Sequence, residues 1–452
     1  MRKSIYIICL ALSLSGCGIY KNYEPQKTDV SQLIRSDLTA DTVSKVTSLN
    51  WEAYYSDPLL GSLIKEGLEN NSDLVIAKLN IKEATASLGA AKAAFLPTIS
   101  IGADGSLSSY DGAKTTKTYS IGPDISWEVD IFGKLSNAKK AAVANVEEKT
   151  AYAQAIQTQL IATIAEYYYT LEMLDEQINV TKETVNSWQE YVSTQTALYN
   201  AGQTDRSNVS QAEASMLSAQ TTLESLAQSI SKTENSLCAL IGRRSGGINR
   251  GKFEDISMPA AFSSGIPIKN LANRPDIRQA EASLKSAFYN TNKAESAFYP
   301  SLTLSGSAGW TNNGGVGVTN PGAILLQAAA SLTQPILAKG QNKANLEIAK
   351  AQQEEAKVSF KQKVLDAGNE VNNALKKYQS SQNMILLEEQ QIDKLKQTVN
   401  DTEAQMKYGS TNYLQVIVSR QSLLSAQLNV LTDKYNKIES YIILFQALGG
   451  GM

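Results

Sequence analysis

The chain of 452 residues predicts a mainly α-helical fold with a small membrane-type β portion, assembled from two copies of one unit. The first observation behind this is the duplication itself. Asp73 stands 24 residues before Pro97 and Asp276 stands 24 before Pro300, in the matching contexts Ala94-Phe95-Leu96-Pro97-Thr98-Ile99 and Ala297-Phe298-Tyr299-Pro300-Ser301-Leu302, an offset of 203. Asn200-Ala201-Gly202-Gln203-Thr204 pairs with Lys407-Tyr408-Gly409-Ser410-Thr411, and Leu240-Ile241-Gly242 with Ala447-Leu448-Gly449, both at an offset of 207. One loop-length difference accounts for the slippage. The second observation is a pair of alternating apolar and polar stretches in each copy, and the third is a very long proline-free helical pattern after each pair. Repetition implies a closed or stacked array, and each copy is far too long for a solenoid unit.

Residues 1–16 read as a secretory signal: Arg2-Lys3, an apolar stretch from Ile5 to Leu14, then Leu14-Ser15-Gly16-Cys17. The stretch is too short to span a bilayer stably. Its end resembles a bacterial lipobox, in which the thiol after the cleavage point, here Cys17, takes a diacylglycerol; the alternative is an ordinary signal with an incidental cysteine. Cleavage removes two of the 42 basic residues, leaving 40 against 44 acidic ones, a balance that argues against a nucleic-acid partner. Cys9 leaves with the signal, so Cys238 remains the only free thiol, set in the apolar helix end Ser236-Leu237-Cys238-Ala239-Leu240 and read as a buried small residue. The sequence contains no histidine, which excludes Ser-His and His-metal enzymes. Gly314-Gly315-Val316-Gly317 lacks the helix start and lysine of a phosphate loop and reads as a turn. No cofactor or metal is expected.

Residues 17–50 are polar and turn-rich, an extended lipid-anchored segment. The first repeat, 51–242, opens at Trp51, with Asp57-Pro58 as a helix start and Leu59, Leu63, Ile64 and Leu68 as one helical face. A second helical run, Leu74 to Phe95, ends at Pro97, because proline cannot continue a helix and biases its predecessor toward extended geometry.

The period then changes to two. Strands are expected at about 98–110 and 117–131, with Ile99, Ile101, Ala103 and Leu107, then Tyr119, Ile121, Ile125, Trp127 and Val129, on one face and small polar residues on the other. The second copy repeats this at about 301–311 and 323–334. Such strands fit either a soluble sandwich or a transmembrane barrel with aromatics such as Trp127 and Trp310 near the strand ends, and the lipobox favours the barrel. Lipid tolerates no open sheet edge and four strands cannot close, so the chain has to oligomerise; a trimer gives twelve strands.

Ala138 to Tyr199 and Asn342 to Tyr408 contain no proline, and each run would extend roughly 90 to 100 Å as a helix. Ile156, Leu160, Ile164, Tyr167, Leu171, Leu174 and Ile178 mark one face of the first; Gln421, Leu424, Leu428, Leu431, Tyr435, Ile438, Ile442 and Phe445 form a heptad seam on the helix that follows the second. Gly202 and Gly409 fit left-handed caps at which the chain reverses. Residues 243–272, with Gly246-Gly247, Pro259 and Pro267, form a linker around the helices, and 273–452 is the second repeat. In Arg274-Pro275-Asp276, Pro275 suits a first helical position and Asp276 a helix N-terminus, a structural role.

These pieces together resemble the outer-membrane factor family, the TolC-like channels, in the lipoprotein branch that serves tripartite RND-type efflux systems. The resemblance rests on Trp51 with Asp57-Pro58-Leu59, Trp127-Glu128-Val129-Asp130-Ile131-Phe132-Gly133, Asn273-Arg274-Pro275-Asp276-Ile277-Arg278-Gln279-Ala280-Glu281, Ala297 to Ser301, Pro335 to Asn345, Tyr408-Gly409 with Tyr413-Leu414, and Ala447 to Gly451. It implies a homotrimer, with a 12-stranded outer-membrane β-barrel continuous with a long periplasmic α-helical barrel and an equatorial collar. It also implies conduction without chemistry: an exit duct for small molecules delivered by an inner-membrane RND-type pump and a periplasmic adaptor (membrane fusion protein), closed at rest at the periplasmic tip. The tip then lies near Gly202 and Gly409. Acidic rings common in the family after the second glycine are absent, since Gln415, Val418 and Arg420 stand there, while the first copy offers Asp205 and Glu213. A cation-selective, a polar and a hydrophobic constriction all remain open, and Asp205 equally fits a solvated turn residue at a helix start. Two other readings of the chain are a protein-secretion channel and a non-conducting coiled-coil lipoprotein or adaptor.

Overall fold

The computed structural model describes residues 20–26, 50–109, 111–112, 115–256, 273–311, 323–336, 339–407, 413–447 and 449–450. Cys17, Gly409, most of the expected anchor segment and linker residues 257–272 lie outside the described residues. In chain order the elements are α1 (Trp51–Tyr54), α2 (Pro58–Asn70), α3 (Ser72–Ala93), β1 (Thr98–Ser108), β2 (Thr116–Val129), α4 (Lys134–Asn200), α5 (Arg206–Leu240), α6 (Pro275–Ser296), β3 (Ser301–Thr311), β4 (Ala323–Thr333), α7 (Gln341–Lys407) and α8 (Tyr413–Ala447). The long helices α4 and α7 each have 67 residues, and the return helices α5 and α8 each have 35. No described helix is long and apolar enough to cross a membrane.

The chain divides into two compact units, each drawing on both copies of the repeat. One, centred on Leu79–Ala151 and Arg278–Gln362, carries the sheet. Its four strands form an antiparallel meander in the order β1-β2-β3-β4. The β1–β2 hairpin turns through Asp111 and Gly112, both at positive φ. β2 stops at Val129, two residues before the alternation in the sequence does. The reason is Asp130, whose carboxylate accepts from Leu135 N (2.9 Å) and Ser136 N (2.7 Å) and so belongs to the start of α4. Between the copies, β2 and β3 approach closely at Gly122 and Gly309. A Cβ on Gly122 would lie 2.2 Å from Ala308 O, and one on Gly309 would lie 2.5 Å from Ile121 O, so only glycine fits on either strand.

The other unit, centred on Tyr152–Ile277 and Lys363–Met452, is helical. Its main core joins Leu60 and Ile64 of α2, Leu160, Ile161, Ile164, Tyr168 and Leu171 of α4, Leu237 and Cys238 of α5, and Ile438, Ile442 and Phe445 of α8. Of the expected α2 face, Leu63 and Ile64 are buried and Leu68 packs against this core, but Leu60 and Gly67 complete the buried stripe in place of Leu59, which is 41 % exposed. Asp57 caps the helix through Leu59 N at 2.7 Å, and the absence of a side chain at Gly67 lets Ile164 pack against the backbone, which centres the stripe there. Asn71 ties three helices together, accepting from Leu74 N (2.9 Å) and donating to Leu240 O (2.8 Å). The α8 seam is buried at Leu431, Ile438, Ile442 and Phe445, while Gln421 at its other end is exposed.

Arg274 is 4 % exposed and clamps the start of α6. Its guanidinium grips Asp276 with two bonds (3.0 and 2.9 Å), reaches Glu370 of α7 at 2.7 Å and donates to Ala447 O of α8 at 3.2 Å. Burial disfavours charge on Asp276, but Arg274 overrides it and holds the carboxyl below its usual range. With Pro275 at the first position of α6, this motif is a structural joint.

Candidate functional site: sheet faces and hairpin tip

The register sorts the strand residues onto two chemically distinct faces. On one, Ala103, Ile121, Trp310 and Ile324 stand side by side, as do Trp127, Leu304 and Ala330, and Val129, Leu302 and Leu332. On the other are Ser100, Asp124, Ser307 and Gln327, then Thr98, Ser126, Ser305 and Ala329. A period of two does this automatically once one register is set. The apolar face is uncovered in the single chain: Ile101 is 81 % exposed and Leu326 76 %. Burying such residues would each contribute roughly 1.5–3 kcal/mol, so a face of this kind left in water is a large cost. β1 and β4 are the open edges of this four-stranded sheet.

Aromatic residues mark both ends of the apolar band. Trp127 donates its indole N–H to Phe95 O at 2.9 Å, and nearby Phe132 stacks on Tyr299 at 5.2 Å. Trp310 pairs with Ile121, six residues along β2 from Trp127, which is roughly 20 Å at a strand's rise per residue. An apolar band between aromatic rows is the pattern of a lipid-facing sheet, with its polar face toward a lumen. Glycines 102 and 122 pair on that polar face, and a Cβ on Gly102 would lie 3.2 Å from Asp124 Oδ2 and 3.9 Å from Asp104 Oδ2. Hydroxyls, these two carboxylates and bare backbone give a wettable surface with little bulk.

In the helical unit, α4 ends at a left-handed Gly202 (φ +69°), with Gln203 N donating to Leu198 O (2.9 Å) and Gly202 N to Tyr199 O (2.9 Å). This is the Schellman arrangement that stops a helix and turns the chain back. Asp205 follows as N-cap of α5, extended and exposed, with no side-chain capping bond. Glu213 is exposed on α5; Gln415 and Val418 are exposed on the first turns of α8, with Leu414 beside them at 60 % exposure. The opposite side of α8 is buried: Val416 and Ile417 pack with Trp188, Tyr191 and Val192 of α4 and Ala212 and Ala219 of α5.

Arg420 differs from the other tip candidates, because it presents no free charge. It donates to Glu403 of α7 (Nε at 2.9 Å) and to Ser187 O and Oγ of α4 (2.9 and 2.7 Å). The guanidinium also lies 5.5 Å from the Trp188 ring and 5.0 Å from that of Tyr191. A planar, delocalised cation suits both contacts where a lysine would not. The side chain is thus a rivet between the two copies rather than part of a charged ring. Sequence reasoning missed this junction, although Trp188, a lone tryptophan in a long polar helix, was a signal that something had to cover it.

Among the described residues no group of His, Cys, Asp and Glu is arranged to hold a metal. What the geometry offers is a two-faced sheet and a tip.

Comparison with known proteins gives the family. A model of the outer membrane efflux protein family matches residues 63–243 and 267–450, one segment on each copy of the repeat. The chain is similar to the cation efflux system protein CusC of Escherichia coli K12, 26 % identical over 456 residues, covering 98 % of each. It is also similar to the probable outer membrane lipoprotein SilC of Salmonella typhimurium, 27 % identical, with 97 % of this chain and 96 % of SilC covered. In three dimensions it resembles the open state of the MtrE outer membrane channel of Neisseria gonorrhoeae, with a TM-score of 0.82, 28 % identity and coverage of 96 % and 98 %. The family model thus falls on both copies of the repeat, and this chain belongs to the outer membrane efflux protein family.

Proposed function

We propose that the chain is the outer-membrane channel of a tripartite efflux pump, a passive exit duct for small molecules. The observation that carries this is the four-stranded sheet, with its exposed apolar face, its polar face and its two open edges. Three copies joined β4 to β1 give a closed 12-stranded barrel, apolar toward lipid and polar toward the lumen, with no edge left in the membrane. Residues 51–242 and 273–452 then supply six pseudo-equivalent units around one pore, each a strand pair with a helical hairpin. The stretch after α5, lying across the helical unit at Ile248 and Phe253, contributes to a collar, and acylation at Cys17 tethers the chain to the membrane.

Relatives named for cation efflux and for toluene efflux support transport of small molecules, delivered by an inner-membrane RND-type pump through a periplasmic adaptor. The protein's part is a shaped passage. The hairpin ends around Gly202, Asp205, Glu213, Gln415 and Val418 are the gate region, where exposed Leu414 and Val418 favour an apolar rather than an acidic constriction.

The test has two arms. A cysteine pair placed on the β1 and β4 edges is expected to crosslink neighbouring copies into a closed trimer, and the purified protein in planar bilayers is expected to conduct. Monomer alone, or a trimer that stays silent even with the tip loosened by mutation, would overturn the proposal.

A further inference from the structure

Between α5 and residue 256 the chain lies across the helical unit, held by Ile248 and Phe253, which are 5 % and 8 % exposed. Four carboxylates surround this stretch, and on one of them a buried oxygen is reached by no hydrogen bond. Arg250 grips Asp175 with two bonds (2.5 and 2.9 Å) and Glu234 with one (2.6 Å). Asp57 accepts from Leu59 N at 2.7 Å and from the Tyr168 hydroxyl at 2.5 Å. Glu172 is 2 % exposed, and its Oε2 has no hydrogen-bond donor among the described residues. A buried, ionised and unpartnered carboxylate oxygen is strongly disfavoured.

We propose that Glu172 is a proton-operated latch for this segment: with a proton on its carboxyl the Ile248–Gly251 stretch is held against α4 and the α2 cap, and loss of that proton releases it. Donor and acceptor counting gives the reason. The Tyr168 hydroxyl has a single proton, which it gives to Asp57, while its oxygen accepts from Gly251 N at 3.0 Å. Glu172 sits beside the same hydroxyl and the same backbone N–H. As a carboxylate it competes with Asp57 for one proton; as a carboxylic acid it becomes a donor and completes a chain from Glu172 through Tyr168 to Asp57. The fit is close, since a Cβ on Gly251 would lie 3.0 Å from Glu172 Oε1 and 3.6 Å from Asp57 Oδ2. This latch does not depend on conduction.

The electrostatics act in the same direction. Burial pushes the Glu172 carboxyl up to about 7, the charges of Asp57 and Asp175 add to this, and contacts from Tyr168 and Gly251 N–H oppose it. The charged and titratable groups around it are Asp57 at the α2 cap, Tyr168, Tyr169 and Asp175 on α4, Glu234 on α5 and Arg250 on the segment itself. The one cation among them is occupied by Asp175 and Glu234. The docked state therefore holds a proton that the released state gives up near the usual carboxylate pKa of about 4.3. Docking is tightest at or below that value, weakens as pH rises towards about 7 and levels off above it.

Hydrogen exchange of the full-length protein in detergent, corrected for intrinsic rates, reads this directly on the amides of residues 248–255. From pH 5 to pH 7.5 the exchange of these amides is expected to speed up by roughly tenfold or more, with the α4 amides as an unmoved reference. Glu172→Gln, a permanent donor to Tyr168, is expected to keep slow exchange at both pH values. Tyr168→Phe, which removes the oxygen that receives the proton, is expected to give fast exchange at both. A flat wild-type profile, or the wild-type pH response persisting in either variant, overturns the proposal.

Discussion

The two long helices α4 and α7 have the same length and opposite apolar economies. Of its described residues, α4 leaves one large apolar side chain substantially exposed, Tyr199, and buries Leu160, Ile161, Ile164, Leu171 and Trp188 within the chain. α7 buries Phe360, Val364 and Val371 on one side, yet leaves Ile348, Val358, Leu365, Leu386 and Leu387 50 to 65 % exposed. The duplication copied a backbone, and the sequences then diverged in what covers it. A helix with apolar residues on two sides needs a second partner, and under the proposed trimer that partner is a neighbouring copy.

The largest expected effect comes from the first copy. Leu171→Ala empties a fully buried site and is expected to cost about 2–5 kcal/mol, read as a lower midpoint in denaturant unfolding of the protomer. The paired substitution Leu386→Ser with Leu387→Ser in α7 is expected to leave protomer unfolding nearly unchanged while shifting the trimer–monomer balance in native mass spectrometry. If both sets lower protomer stability alike, the contrast between the copies is wrong.

Arg420→Ala removes the rivet between the copies and leaves Glu403 without its cation, at an expected cost of roughly 1–3 kcal/mol in unfolding midpoint. Arg420→Lys is expected to recover less than half of it, because an ammonium does not lie flat on Trp188 and Tyr191. Full rescue by lysine would reduce the junction to a point charge. The smallest effect on stability is expected from Gln415→Asp, within about 0.5 kcal/mol of wild type as a surface change. Its readout is reversal potential: cation preference rises if the constriction lies at Gln415, and no change moves the gate elsewhere.

Period was the legible part of this molecule. Alternation at Ile99, Ile101 and Ala103 specified strand faces, and proline-free runs specified long helices, because both depend on spacing along the chain. The one-position error at Leu59 and Leu60 arose where a long-range event, Ile164 entering the space above Gly67, fixed the rotation of α2. Arg420 read as a tip charge because the α4 side chains that cover it are distant in sequence, Ser187 standing 233 residues away. Glu172 carried no sequence signal at all: an acid in a polar-looking helix becomes unusual only when Asp57, Tyr168 and Gly251 converge on it. Local order was readable; what folding brings together from separate elements was not.

The equal lengths of the helices, 67 and 67 residues out, 35 and 35 back, act as a ruler for evolution. An insertion in α4 alone would put its turn out of step with that of α7 and rotate every following side chain off its face by about 100° per added residue. A whole heptad preserves the face but not the level, so it is tolerable only when α5, α7 and α8 gain it too. Changes of length in this architecture must therefore come in sets of four, whereas changes of side chain at the turns are free to come singly. Helix length is thus the conservative quantity of the fold, and side-chain identity at the helix ends the free one.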